Sequence, residues 1–125
     1  MLYECTVCLL LRFARTQTHS HISFSAQTDE ALLEAESLAL KNNRGMAFRS
    51  FESAALLAGR RGLTQIQALA NERFAVYLEE IGNEQDAEYR LKEAITLYRE
   101  WGATAKVEQL RMKLEKDRNE RSALH

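Results

Sequence analysis

Residues 82–102 read GNEQDAEYRLKEAITLYREWG, and the spacing within this stretch decides the fold. Gly82 and Asn83 are the stop signal of whatever helix precedes them. Beyond them Ala87, Leu91, Ala94, Ile95, Tyr98 and Trp101 recur at intervals of three and four, which is the pattern of a helix with one buried face. Gly102 closes that helix, because glycine readily takes the left-handed conformation of a helix end. Asp86 falls in the first turn, where a carboxylate caps free amides or complements the helix dipole.

The same face appears forty residues upstream as Ala47, Phe48, Phe51, Ala54, Ala55 and Ala58, ended by Gly59 to Gly62. Shifting the whole chain by forty aligns Ala35 with Ala75, Leu38 with Leu78, Asn43 with Asn83, Ala47 with Ala87, Ala54 with Ala94, Leu57 with Leu97, Gly62 with Gly102 and Thr64 with Thr104. A fixed period of this kind marks a repeat architecture. A second helix type fills the gap between these faces, with Ile66, Ala70, Phe74, Tyr77, Leu78 and Ile81 on one side. Its earlier copy is expected from about Asp29 to Lys41, with Thr28 as N-cap and Asp29 and Glu30 in the first turn. A last helix, Ala103 to about Lys116, carries Val107, Leu110 and Leu114.

One period is therefore one helix hairpin, and alanine at close spacing lets two backbones approach while larger neighbours fill the flanks. Hairpins that touch only their neighbours build an α-solenoid. The expectation is an all-α chain of about five helices, a short α-solenoid with a 40-residue period. Residues 28–117 would form the repeat domain. Residues 1–27 read as a poorly defined N-terminal helix and polar connection, with Val7, Leu11 and Ala14 in the register of a truncated earlier hairpin. Residues 118–125 read as a charged tail that frays.

Composition agrees. The chain has 125 residues, 46% of them hydrophobic and 28% charged, an average globular balance that suits one domain. Proline is absent and glycine numbers five, too little punctuation for a many-turned β protein. Seventeen basic and eighteen acidic residues leave a net charge of −1, so nucleic acid is not an expected partner. The apolar run Val7 to Leu11 is preceded by Glu4 and closed by Arg12, which does not make a secretory signal, and no run is long enough to cross a bilayer. A cytoplasmic, reducing setting without a membrane partner is expected.

Few residues offer chemistry. Cys5 and Cys8 form C-x-x-C, with His19 and His21 downstream. A zinc finger needs its histidines three to five residues apart, whereas here only Ser20 separates them. Two reduced thiols in an apolar helix are the expected state. A small helical metal protein or enzyme built on these four residues is the rival function. GRRG, residues 59–62, lacks the G-x-x-x-x-G-K-[ST] frame of a phosphate loop. Glu79-Glu80 and Asp86 with Glu88 sit at a helix end and a helix start, not around a pocket suited to acid–base work. The three histidines, His19, His21 and His125, lie where no nucleophile–base pair is suggested. Trp101 reads as a packing anchor between hairpins. No catalytic residue, metal or cofactor is expected.

Residues 82–102 also resemble a tetratricopeptide hairpin, and together with the preceding helix they put Ala75, Leu78, Gly82, Ala87, Leu91 and Ala94 at the small and large positions of that repeat, although the period exceeds the usual one of about 34. ALLEAESLAL (31–40), MAFRSFESAALLAGRRG (46–62) and QALANERFAVYLEEIGNEQDAEYRLKEAITLYREWGATAKVEQL (67–110) resemble the helical-repeat region of large microbial signalling proteins. In those proteins a protein-kinase-like domain and an AAA-type ATPase precede a GAF domain and a histidine kinase. The ALANERFAVYL and YREWGATAKVEQL blocks carry most of the likeness. The resemblance covers roughly residues 30–114 and implies a non-catalytic spacer or interaction module, whose partners are a protein, a peptide or the neighbouring domains. The tetratricopeptide-like register set by Ala75 and Ala87 then places Leu69, Glu72, Arg73, Val76, Glu79 and Glu80 along the inner, partner-facing side. Tetratricopeptide domains that clamp acidic tails present Lys, Asn and Arg there. A mainly acidic and apolar side is expected to accept a basic or apolar helix instead.

Overall fold

The computed structural model describes residues 22–124, which form five α-helices and, among the described residues, no strand. They are α1 (Ile22–Leu40), α2 (Arg44–Arg60), α3 (Thr64–Glu80), α4 (Glu84–Trp101) and α5 (Thr104–Ala123). The residues Cys5, Cys8, His19, His21 and His125, and the register match at Val7, Leu11 and Ala14, lie outside the described residues.

All four connections close in the same way. Asn42, Gly62, Gly82 and Gly102, spaced by twenty, adopt left-handed φ of 61°, 67°, 84° and 91°. The residue after each donates its amide to the carbonyl five positions back: Asn43 to Leu38, Leu63 to Ala58, Asn83 to Leu78 and Ala103 to Tyr98, at 2.8–3.0 Å. This is the Schellman closure, and it satisfies carbonyls that a helix end leaves open. The carbonyls of those residues then accept from Ala47, Gln67, Ala87 and Val107 and so begin the next helix. Asn83 adds a side-chain cap, its Oδ1 accepting from the Asp86 amide while its Nδ2 donates to the Asp86 carboxylate. Asp86 thus helps fix the start of α4.

Contacts are densest within the pairs α1–α2 and α3–α4, looser between α2 and α3 and between α4 and α5, and slight between α1 and α3. The hairpin grouping expected from the 40-residue period is therefore present. Two apolar clusters meet on α3. On one side Phe51 and Phe74 stack at 5.5 Å, with Phe48 edge-on to Phe74 at 5.1 Å, among Leu32, Ala35, Ala54 and Leu78. On the other side Ala68 and Ala75 of α3 pack with Leu91, Ala94, Ile95 and Tyr98 of α4 and Leu110 of α5. The alanines of both clusters are almost fully buried, and small side chains there let helices approach closely.

Three local expectations are corrected. Helix α1 begins at Ile22, so Thr28 and Asp29 lie inside it, fully buried, and do not cap it. The earlier turn is held by tertiary contact, since Gln27 Oε1 accepts a 2.6 Å hydrogen bond from Arg61. Helix α5 runs past its expected end at about Lys116 and takes in residues 118–123. They continue α5 because Arg118 and Arg121 both reach Glu88 on α4. Trp101 is no anchor, being 56% exposed. The buried face of α4 ends one turn earlier at Tyr98, and Trp101 stands as the last residue of the helix, beyond the packed layer.

Candidate functional site

The six residues expected to face a partner all lie on α3, and the structure divides them among several surroundings. Leu69 is buried in the first cluster. Arg73 turns toward α1, its Nε and Nη2 donating to Glu36. Glu72 accepts from the Tyr98 hydroxyl at 2.8 Å and from Lys106 Nζ at 2.7 Å. Glu79 accepts from Lys113 Nζ at 2.9 Å with both oxygens. Val76 is half-buried, and Glu80 is exposed. Glu72 and Glu79 stand seven residues apart and so share a face, and each meets a lysine of α5. The acidic side of α3 is thus engaged by the chain itself.

The cations that meet this side were not singled out by the sequence reading. Lys106 and Lys113 are also seven apart, and Val107, Leu110 and Leu114 accompany them on α5. That matching interval of acids on α3 and bases on α5, 34 residues further along, is a signal the sequence carries. Further along α5, Arg118 Nη2 donates to Glu88 Oε1 at 2.8 Å, and Arg121 bonds the other oxygen. Lys92, one turn from Glu88 on α4, adds a third cation at 2.9 Å.

These contacts shift the titrating groups. Hydrogen bonds from Arg118, then Arg121, then Lys92 hold the Glu88 carboxyl down at about 2. Burial opposes the charged form of Lys113, but Glu79 and Asp117 outweigh it and raise its pKa. Burial, joined by the Glu72 charge, pushes the Tyr98 phenol well up. Tyr77 is also raised, chiefly by burial, and its hydroxyl donates to the Arg44 carbonyl at 3.0 Å. Each shift accompanies a contact between helices, and Glu88 also lines a cleft of about 230 Å³ between α4 and α5.

The remaining sequence motifs have structural partners. In the GRRG turn the amides of Arg61, Gly62 and Leu63 donate to the Leu57, Gly59 and Ala58 carbonyls, so they are not turned outward to cradle phosphate. Among the described residues, no group of three His, Cys, Asp or Glu side chains converges as a metal site. No described helix is long and apolar enough to cross a membrane. No family model, curated protein or solved structure matches the chain.

Proposed function

We propose that the chain is a non-catalytic interaction or spacer module, a short α-solenoid of tetratricopeptide-like hairpins that serves a cytoplasmic signalling protein with an ATPase or kinase half. The observation that supports this most directly is the repetition of one turn design at twenty-residue intervals, with helices that pack mainly on their chain neighbours. Such a chain grows by adding like units and offers its flanks to partners. Ion pairs link α1 to α3, α2 to α4, α3 to α5 and α4 to α5, which suits a scaffold. In this reading the partner is a protein or peptide, or an adjoining domain of the same protein.

Calorimetric titration of the purified protein with magnesium and ATP tests the non-catalytic half of the proposal. No saturable heat at micromolar protein and no phosphate release are expected, because no phosphate loop is present in the sequence. Saturable binding with turnover would replace the module by an enzyme.

A further inference from the structure

The ion pairs that join α5 to the rest of the described protein all run in one direction. Lys106 meets Glu72, Lys113 meets Glu79, and Arg118 and Arg121 meet Glu88. The cation is on α5 each time, and the carboxylate is on α3 or α4. Whole-helix charge points the same way. Helix α5 carries six basic and four acidic side chains, whereas α3 and α4 together carry eight acidic and four basic ones.

The apolar grip of α5 is small by comparison. Leu110 is its one fully buried residue, with Val107 and Leu114 partly buried, whereas α3 buries nine. Beside Leu114 a cleft of about 230 Å³ remains open between α4 and α5, floored by Ala87 and Leu91. The ion pairs themselves are half-open to solvent, Lys106 being 30% and Lys113 34% exposed. Contacts of this kind are weakened by salt, unlike those of a packed core.

We infer that the α3–α4 face is a docking groove for a basic amphipathic helix, and that α5 is its resident occupant, displaceable by a partner helix with the same spacing. That spacing is Lys106, Val107, Leu110, Lys113, Leu114 and Arg121: two apolar-flanked lysines seven residues apart, then an arginine about two turns on. The inference rests on the interaction-module proposal and names the partner. It also assigns the covering of the groove a purpose. Only Gly102 and Ala103 tether α5 to α4, so its local concentration is high, on the order of millimolar for a short link. A weak competitor is excluded, and a strong basic helix gains the site.

The test uses the full chain and a fluorescein-labelled peptide of residues 103–124. Fluorescence anisotropy compares wild type with the double variant Lys106→Glu/Lys113→Glu, whose own α5 is repelled by Glu72 and Glu79. The variant should bind the peptide at least about tenfold more tightly than wild type. A peptide with both lysines changed to glutamate should not bind, and raising salt from about 0.05 M to about 0.5 M should weaken the wild-type peptide about tenfold. Equal or absent binding by a variant that keeps its helical circular dichroism overturns the inference. Should the variant not fold, hydrogen exchange on wild type decides: α5 amides should exchange at least about tenfold faster than those of α3, and faster still in salt. Equal protection of α5 and α3 overturns the inference. Either failure leaves the module proposal standing, since only nucleotide turnover counts against that.

Discussion

Asn42 and Gly82 lie forty residues apart and perform the same backbone task, with left-handed φ of 61° and 84° at the ends of α1 and α3. Asparagine is among the few side chains that tolerate this region, which costs other residues about 1–2 kcal/mol. A Cβ placed on Gly82 would meet nothing within 4 Å, so only backbone conformation opposes substitution there. Gly82→Ala should therefore lower the unfolding free energy by about 1–2 kcal/mol, and Gly82→Asn by well under half of that. Urea titration of the two variants checks it; equal losses would mean that left-handed strain is not what selects the residue.

Ala94 is fully buried on α4, in the cluster that also contains Ala68 and Ala75 of α3. Enlarging it should push the tightest helix pair apart. Ala94→Leu is expected to cost about 1–3 kcal/mol, whereas Glu93→Ala, on the exposed side, should change stability by under about 0.5 kcal/mol. Comparable melts for the two variants would show the packing face to be misassigned.

The two aromatic residues Phe74 and Trp101 should respond in opposite fashion to truncation. Phe74 is fully buried, stacked on Phe51, with the Arg90 guanidinium 4.5 Å from its ring centre. Its change to Ala should cost about 3–5 kcal/mol. Trp101→Ala should cost less than about 0.5 kcal/mol despite removing the largest side chain. A tryptophan variant as damaged as the phenylalanine one would restore the anchor role.

Acid should loosen the end of α5 before the α1–α2 hairpin. The Glu88 carboxyl ionises at about 2 in the folded protein against 4.5 when free. A depressed folded value stabilises the protein above the free value, and that contribution is lost as pH falls from 4.5 toward 2. Glu88→Gln should melt below wild type at about pH 7 and converge with it at about pH 2. A gap between the melting curves that stays constant across this range would show that Glu88 contributes nothing through its charge.

By itself the sequence determined the helical class, the hairpin grouping and most of the buried face. Those follow from apolar spacing and turn residues, which act over one or two turns of chain. Ala47, Phe51 and Ala54 are buried as their spacing requires, and so are Ala87, Leu91 and Tyr98. The forty-residue match pairs Gly62 with Gly102, and Gly82 stands out separately as a helix stop, so three of the four left-handed positions are legible. It did not reveal the underlying twenty-residue unit, because the fourth turn uses Asn42 where the others use glycine.

Tertiary structure alone decided three other matters. Helix α1 starts early with Gln27 held by Arg61, α5 runs on because Glu88 gathers Arg118 and Arg121, and Glu72 and Glu79 are covered by Lys106 and Lys113. Each is a meeting of side chains about thirty residues apart. Local propensity is silent on such meetings, because a charged face looks the same in sequence whether water or another helix lies opposite. Trp101 makes the converse point: its spacing continues the buried face of α4, yet burial requires a neighbour opposite, and the packed layer ends one turn before it.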